Sequence, residues 1–95
     1  MAGSGLRFDW DEQNIRHLRR HRVAPHEFEE VLFNDPLDLE YQTESGEARY
    51  KSLGATNKGR VLVAVWTVRE SRIRAVTSYP ASRALRRLYE EAEGE

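Results

Sequence analysis

The spacing of the hydrophobic positions along this 95-residue chain changes twice, and each change predicts a different kind of element. The first stretch predicts a helix that ends near His21, with a thin apolar face made by Ile15 and Leu18. Asp9 is its predicted N-cap, because Glu12 then stands at the third helical position, where its side chain can close a capping box.

A second helix is predicted between two prolines. Pro25 suits its first position, since a residue there needs no backbone N–H donor. Phe28, Val31 and Leu32 recur at the three- and four-residue spacing of a buried helical stripe. The run Asn34-Asp35-Pro36 is expected to end this helix.

The pattern then becomes that of β-strands separated by short turn-like segments. Four strands are predicted, over residues 37–42, 48–53, 61–68 and 73–79. The third is a continuous apolar run, which is typical of a central strand buried on both faces. Because the connections are short, neighbouring strands are predicted to pair antiparallel.

Strict alternation along a strand predicts which of its side chains share a face. The predicted sets are Leu37, Leu39 and Tyr41 in the first strand, Ile73, Ala75 and Thr77 in the last strand, and Arg74, Val76 and Ser78 opposite the latter.

A final helix is predicted with Pro80 at its first position. Its apolar face is predicted to hold Ala81, Ala84, Leu85 and Leu88. The order of two helices, a four-stranded antiparallel sheet and a last helix indicates an α+β fold, with the helices packed on one sheet.

The length and composition bound the classes of protein that this chain can represent. A chain this short holds one hydrophobic core, so residues 1–95 are assigned to a single domain. Residues 1–5 are expected to be a flexible or cloning-derived start, and residues 92–95 a frayed tail. The absence of cysteine excludes a disulfide scaffold and a thiolate zinc site. No apolar run approaches the roughly 18 residues of a membrane span, and the cytoplasm is the expected location.

The net charge of -1 conceals an uneven distribution along the chain. Residues 1–48 contain 5 basic and 11 acidic residues, whereas residues 49–95 contain 10 basic and 5 acidic ones. Such asymmetry favours a surface that faces a polyanion, built by the second half of the chain. The alternative is a set of ordinary solvated charges that the fold intermixes.

Short motifs along nearly the whole chain, from residue 6 to residue 91, resemble those of one protein family. In chain order they are Phe8-Asp-Trp-Asp11, residues 14–18, Arg20-His21-x-Val23, residues 28–33 before Asn34-Asp35-Pro36, Arg49 before Gly54, Gly59-Arg60, Trp66-Thr67-x-Arg69, Arg72-Ile73-Arg74, Ala81-Ser82-Arg83 and Tyr89-Glu90. As an ordered set they make the chain similar to the BrnT family, toxins of bacterial type II toxin–antitoxin pairs.

The resemblance implies a RelE-like fold, a ribonuclease activity that needs no metal or other cofactor, and inhibition of translation. It also implies a BrnA-like antitoxin with a ribbon-helix-helix part as partner, and contact with operator DNA only through that antitoxin. The chain departs from the family at three positions. Arg22 stands where the family usually has Gly, Tyr79 where it commonly has Arg, and Leu85 where it commonly has Glu.

Metal-free RNA cleavage commonly uses the substrate's 2'-hydroxyl as nucleophile, so it requires cations around the phosphate. Arginine suits this role, because its planar guanidinium binds two phosphate oxygens at once and stays charged. The candidates that also match family motifs are Arg49, Arg69 and Arg83. Further RNA-binding candidates are Lys51, Arg60, Arg74 and Arg86. Each could instead be an ordinary surface ion-pair residue.

A residue that transfers protons is also required, and His21 is the candidate that matches the family. Its position at a helix end fits a capping role equally well. Tyr79 could hydrogen-bond the phosphate in place of the missing Arg, or it could pack as an aromatic at the edge of the sheet. Tyr50 would point to the opposite face from Arg49 and Lys51, since neighbouring strand residues alternate.

Two other patterns have weaker support. His17 and His21 have the four-residue spacing of zinc ligands on a helix, but no third ligand follows, so no metal site is predicted. Trp10, Tyr50 and Trp66 could stack on RNA bases, although a place in the core is favoured for Trp66.

The sequence therefore supports a first hypothesis and two rivals. The first is a small endoribonuclease toxin that is neutralised by its antitoxin. The second is an inactive antitoxin-binding corepressor, in which Tyr79 and Leu85 mark the loss of catalysis. The third is a stand-alone RNA-binding protein.

Overall fold

A computed structural model describes residues 5–94 and confirms the α+β fold class. Its elements are α1 (Glu12–Arg19), α2 (Pro25–Phe33), β1 (Leu37–Glu44), β2 (Glu47–Ala55), β3 (Val61–Arg69), β4 (Arg72–Pro80) and α3 (Arg83–Glu93). The strands form one antiparallel sheet in the order β1-β2-β3-β4. Most of the predicted start, residues 1–4, and the last residue of the predicted tail lie outside the described residues.

Helix α1 begins two residues later than the sequence predicts, because Asp11 and not Asp9 is its N-cap. The carboxylate of Asp11 accepts from the backbone N–H of Asn14 at 2.9 Å, and the Asn14 side chain accepts from the backbone N–H of Asp11 at 2.9 Å. The backbone N–H of Asp9 donates instead to the carbonyl of Ile73 at 2.9 Å, so it is not available to the Glu12 side chain for the predicted capping box. That bond holds the chain before α1 alongside β4.

The end of α1 depends on one residue in the left-handed conformation. Arg22 has φ +59°, and its backbone N–H donates to the carbonyl of Arg19 at 3.0 Å. The N–H of Val23 donates to the carbonyl of Leu18 at 3.1 Å. Together these are the hydrogen bonds of a Schellman motif, whose left-handed position is usually occupied by glycine. The predicted helix end near His21 is therefore a helix to Arg19 followed by this turn.

The two faces of the sheet carry separate apolar clusters. The α1/α2 cluster joins Leu18, Val23, Phe28 and Val31 to Leu62, Ala64, Ile73 and Ala75 of the sheet. The α3 cluster joins Tyr89 and Leu85 of α3 to Leu53 and Val63. Because neighbouring residues in β3 point to opposite faces, α1 and α2 cover one face and α3 lies on the other.

Two β-bulges make the predicted alternation wrong in the edge strands. In β4, Thr77 pairs with Val65 and Ala75 pairs with Trp66, so Val76 is the extra residue. Thr77 therefore shares a face with Arg74, not with Ala75. In β1, the register shift between Asp38 and Glu40 leaves Leu39 as the extra residue and moves Tyr41 to the opposite face from Leu37.

The predicted start and face of the last helix are also wrong in detail. Pro80 is the last residue of β4, an edge strand, where a missing N–H donor is tolerated. Ser82 is the N-cap of α3, and its hydroxyl accepts from the N–H of Leu85 at 3.2 Å. The helix packs through Leu85 and Tyr89, and it leaves Leu88 exposed.

Candidate active site

Helix α3 covers only one end of its face of the sheet, and the remainder of that face is charged. Side chains directly opposite one another in neighbouring strands form rows across the sheet. The row beneath α3 is apolar and contains Leu53, Val63 and Tyr79. The rows beyond it contain Lys51, Val65 and Thr77, and then Thr67 and Arg74. The cationic side chains of these strands therefore lie where the helix does not reach.

A depression of about 260 Å³ lies over the charged rows. It brings together Arg49 of β2, Arg69 of β3 and Arg74 of β4, three of the predicted phosphate-binding or RNA-binding residues. Its wall includes His17 of α1, and its only carboxylate among the described residues is Glu47. The arginines therefore meet from three neighbouring strands at one opening.

Glu47 is shared by two of these arginines. One carboxylate oxygen lies 3.1 Å from Nη2 of Arg69, and the other lies 3.7 Å from Nε of Arg49. One carboxylate therefore holds two guanidinium groups side by side at the depression. A phosphodiester is an anion that neighbouring guanidinium groups can bind through its non-bridging oxygens.

Arg74 is held differently, by two carboxylates at the start of α1. Its guanidinium contacts Asp11 at 2.6 Å and Asp9 at 3.4 Å. The hydrogen bond from the Asn14 N–H, followed by the bond from Arg74, lowers the pKa of Asp11 below its usual range. The bond to Asp11 in turn raises the pKa of Arg74. Arg74 is therefore largely neutralised, and it fixes α1 to β4.

The floor of the depression is fixed by Thr67. This residue is buried, and its hydroxyl donates to the carbonyl of Ala48 at 2.7 Å. The bond ties β3 to β2 close to Arg69, two residues after Thr67, and to Arg49, the residue after Ala48. The two guanidinium groups therefore project from a rigid pair of strands.

A second depression, of about 250 Å³, adjoins the first and shares Arg49 with it. It is lined by two further predicted site residues, Lys51 and Tyr79. Lys51 lies 3.5 Å from the carboxylate of Glu40. The exposed ring of His21 packs on Tyr79, with 5.9 Å between the ring centroids. His21 and Tyr79 thus lie together, but beside this second depression and not with Arg69.

Three predicted residues lie away from both depressions. Arg60 is on the α1/α2 side of the sheet, where it bonds Glu27 at 2.9 Å and the carbonyl of Arg22 at 2.8 Å. Arg83 and Arg86 are exposed on α3 and line neither depression. Some basic residues from the second half of the sequence therefore converge at the two depressions, and others lie elsewhere on the protein.

Two residues at the site were not predicted in these roles, namely His17 and Glu47. Nδ1 of His17 lies 3.3 Å from the carbonyl of Val76, the extra residue of the β4 bulge. Glu47 stands two residues before Arg49, the spacing that puts two strand residues on one face. That spacing was the available signal. In the part of the chain that the structure describes, no three His, Asp or Glu side chains group to hold a metal ion.

The aromatic candidates pack within the protein. Trp66 stacks on Tyr50 at 4.4 Å, on the opposite face from the arginines, and its indole N–H donates to Ser52 at 3.0 Å. Trp10 contacts Phe28 edge to face and donates to Glu29 at 2.7 Å. These contacts favour a packing role over stacking on RNA.

A comparison with models of known protein families gives a match over most of the chain. The family model described as the ribonuclease toxin BrnT of type II toxin–antitoxin systems matches residues 10–84. This range includes Arg49, Arg69 and Tyr79 and ends just before Leu85. No curated protein sequence matches the chain. No helix within residues 5–94 is long and apolar enough to cross a membrane. Because the match covers most of the sequence, the chain belongs to the BrnT family of ribonuclease toxins of type II toxin–antitoxin systems.

Proposed function

We propose that this protein is an endoribonuclease toxin that inhibits translation by cleaving RNA, and that the depression around Arg49 and Arg69 is its active site. The observation that carries the proposal is the convergence of these two guanidinium groups on one shared carboxylate. The two guanidinium groups line a depression on the part of the sheet that α3 does not cover, where a long polymer can reach them. The family match supplies RNA as the target.

The proposed reaction uses the 2'-hydroxyl of the RNA and no metal ion. The 2'-oxygen attacks the adjacent phosphorus, a 2',3'-cyclic phosphate forms, and the bond to the 5'-oxygen breaks. Arg49 and Arg69 bind the non-bridging oxygens, and they stabilise the charge that develops on them. Removing one such group from an active site costs about 10²–10³ in rate.

The second depression extends this site along the RNA. Lys51 is placed to bind the phosphate next to the scissile one, since Arg49 lines both depressions. Tyr79 and His21 stand beside Lys51, so they contact the flanking nucleotide in this proposal. Arg60, Arg83 and Arg86 are not included, because they lie elsewhere on the protein.

The partner follows from the family, and its identity belongs to the proposal. A type II toxin has an antitoxin, and we assign a BrnA-like ribbon-helix-helix protein that covers the depression and carries the pair to operator DNA. The RelE-like relation of the fold and the cytoplasmic location are part of the same assignment.

A corepressor without catalytic activity is the alternative. It is favoured by Tyr79 and Leu85, which replace the Arg and Glu common in the family, and by the two carboxylates that neutralise Arg74. Under this alternative the protein would bind its antitoxin and leave RNA intact.

The experiment compares the unaltered protein with Arg69→Ala and Arg49→Ala, and uses Arg87→Ala as an exposed control on α3. We expect each site variant to lose about 100-fold or more in cleavage of bulk ribosomal RNA. We expect the control to be unchanged, and growth arrest in cells to follow the same order. Thermal unfolding of every variant checks that the fold is intact.

Two further measurements test the chemistry. Products should carry 2',3'-cyclic phosphate ends, and cleavage should persist in EDTA. An unaltered protein that is folded, leaves RNA intact and permits growth would contradict the proposal and favour the corepressor. Arg83→Ala tests the other predicted arginine; a loss as large as that of Arg69→Ala would move the active site to α3.

A further inference from the structure

We infer that Glu47 is the general base of this ribonuclease and removes the proton from the attacking 2'-hydroxyl. The inference rests on the proposed function, because it assigns a role within the same site. Glu47 was not among the candidates that the sequence indicated. The structure makes it a candidate, because its carboxylate lies between Arg49 and Arg69.

The first argument is position. Glu47 is the only carboxylate among the described residues that line the depression. Its two oxygens already lie where guanidinium groups bind an anion, at 3.1 Å from Arg69 and 3.7 Å from Arg49. A phosphate bound by the same arginines would sit against this carboxylate. In a reactive conformation the 2'-oxygen lies about 3–3.5 Å from the phosphorus, so it falls within reach of the same side chain.

The second argument is availability. When the phosphate takes over the two guanidinium groups, the Glu47 oxygens lose their partners and can accept a proton. His21 is less well placed, since its ring is exposed and packs on Tyr79 beside the other depression. A base must be within hydrogen-bond reach of the proton that it removes. The geometry therefore favours Glu47 over His21.

The protons balance if His17 completes the step. Glu47 takes the 2'-hydroxyl proton as the 2'-oxygen bonds to phosphorus. As the bond from phosphorus to the 5'-oxygen breaks, protonated His17 donates one proton to that oxygen. The contact between Nδ1 of His17 and the Val76 carbonyl orients the ring, and it leaves Nε2 as the donor to the 5'-oxygen. Solvent then returns both residues to their starting states.

A purely electrostatic role for Glu47 makes the opposite prediction. If the carboxylate only offset the charge of Arg49 and Arg69, its removal would strengthen RNA binding and leave cleavage the same or faster. If it only held the two arginines in place, its removal would weaken binding and cleavage together. A general base has a third signature, in which cleavage is lost while binding is kept.

The experiment measures single-turnover cleavage of bulk ribosomal RNA and binding of a random-sequence single-stranded DNA pool, which lacks the 2'-hydroxyl. For Glu47→Gln we expect cleavage to fall by about 100-fold or more, as for loss of a general base, with DNA binding unchanged or tighter. Glu47→Asp keeps a carboxylate and should retain more activity than Glu47→Gln. Glu91→Gln is the matched control, because Glu91 is exposed on α3, lines neither depression and should not affect cleavage.

Each outcome decides. A fall of less than about tenfold in Glu47→Gln, or a parallel loss of cleavage and binding, would overturn the role of Glu47 while the proposed function stands. If Glu47→Gln unfolds, activity of Glu47→Asp no higher than that of Glu47→Ala would overturn it as well. If the unaltered protein does not cleave RNA, the proposed function itself fails, which is a separate result.

Discussion

The two faces of the sheet are built from the same four strands, yet helices cover the α1/α2 face more completely than the α3 face. On the α1/α2 face, Leu18, Phe28 and Val31 are fully buried, and aromatic side chains close around Phe28. On the α3 face, the buried cluster is smaller and ends where the charged rows begin. One face is committed to stability and the other leaves room for a ligand.

The alternation of side chains makes this division possible. In β2, Tyr50 stacks on Trp66 on one face while its neighbours Arg49 and Lys51 line the depressions on the other. A strand that is fixed on one side by apolar packing can hold charged groups on its opposite side at low conformational cost. Apolar packing on the α1/α2 face therefore keeps the guanidinium groups of the α3 face in position.

The largest effect is expected from truncating the centre of the α1/α2 face. Phe28 is 0% exposed and packs edge to face against Phe8 and Trp10, so Phe28→Ala should lower the free energy of unfolding by about 3–5 kcal/mol. Leu85 is only half-buried on the α3 face, and Leu85→Ala should cost about 1–2 kcal/mol. Urea denaturation measures both. Equal losses would contradict the difference between the faces.

Periodicity predicted the fold well, and local competition explains where it failed. The order of elements and the stripe of Phe28 and Val31 follow from hydrophobic spacing. The N-cap was misplaced because a tertiary bond from Asp9 to Ile73 competes with capping, and nothing in the local sequence reports that bond. The bulge at Val76 likewise depends on pairing with β3, and it shifts every later residue of β4 to the other face.

The candidate site was predictable only where strand neighbours determine it. Arg49, Arg69 and Arg74 lie together because their strands are adjacent in the antiparallel sheet. The basic character of Arg60 is the same in sequence, but its neighbour Glu27 comes from α2, on the other side of the sheet. Charge composition therefore identifies arginine-rich segments, and topology decides which of them meet.

A smaller effect of the opposite sign is expected at the end of α1. Arg22 occupies a left-handed position, with φ +59°, where a residue with a Cβ is strained by about 1 kcal/mol. Arg22→Gly, at the edge of the α1/α2 face, should therefore raise the free energy of unfolding by up to about 1 kcal/mol. The greater entropy of glycine in the unfolded chain offsets part of this gain. The bond from Arg60 to the backbone carbonyl of residue 22 survives the change. Arg20→Gly, in the right-handed conformation, is the contrasting variant and should destabilise.

The smallest effects are expected from pH, and they should separate the faces. The Asn14 N–H and then Arg74 hold the pKa of Asp11 below 3.8. Burial alone would raise the pKa of Glu27, but the Ala24 N–H and Arg60 outweigh it and hold it below 4.5. The stabilisation that these two carboxylates provide is fully present at pH values above their unfolded-state pKa values. It is lost as the pH falls through their lower pKa values in the folded protein. Acid should therefore weaken the α1/α2 face.

Alkali should act on the α3 face, because burial raises the pKa of Tyr89 above 10.0. The stabilisation that depends on protonated Tyr89 is fully present at pH values below its unfolded-state pKa. It is lost as the pH rises through its higher pKa in the folded protein. Unfolding midpoints across pH test both ends. Asp11→Asn should flatten the acid side only, Tyr89→Phe should flatten the alkaline side only, and exposed Asp38→Asn should change neither. If Asp11→Asn left the acid dependence unchanged, the contacts of Asp11 with Asn14 and Arg74 would not be the link that fastens α1 to β4.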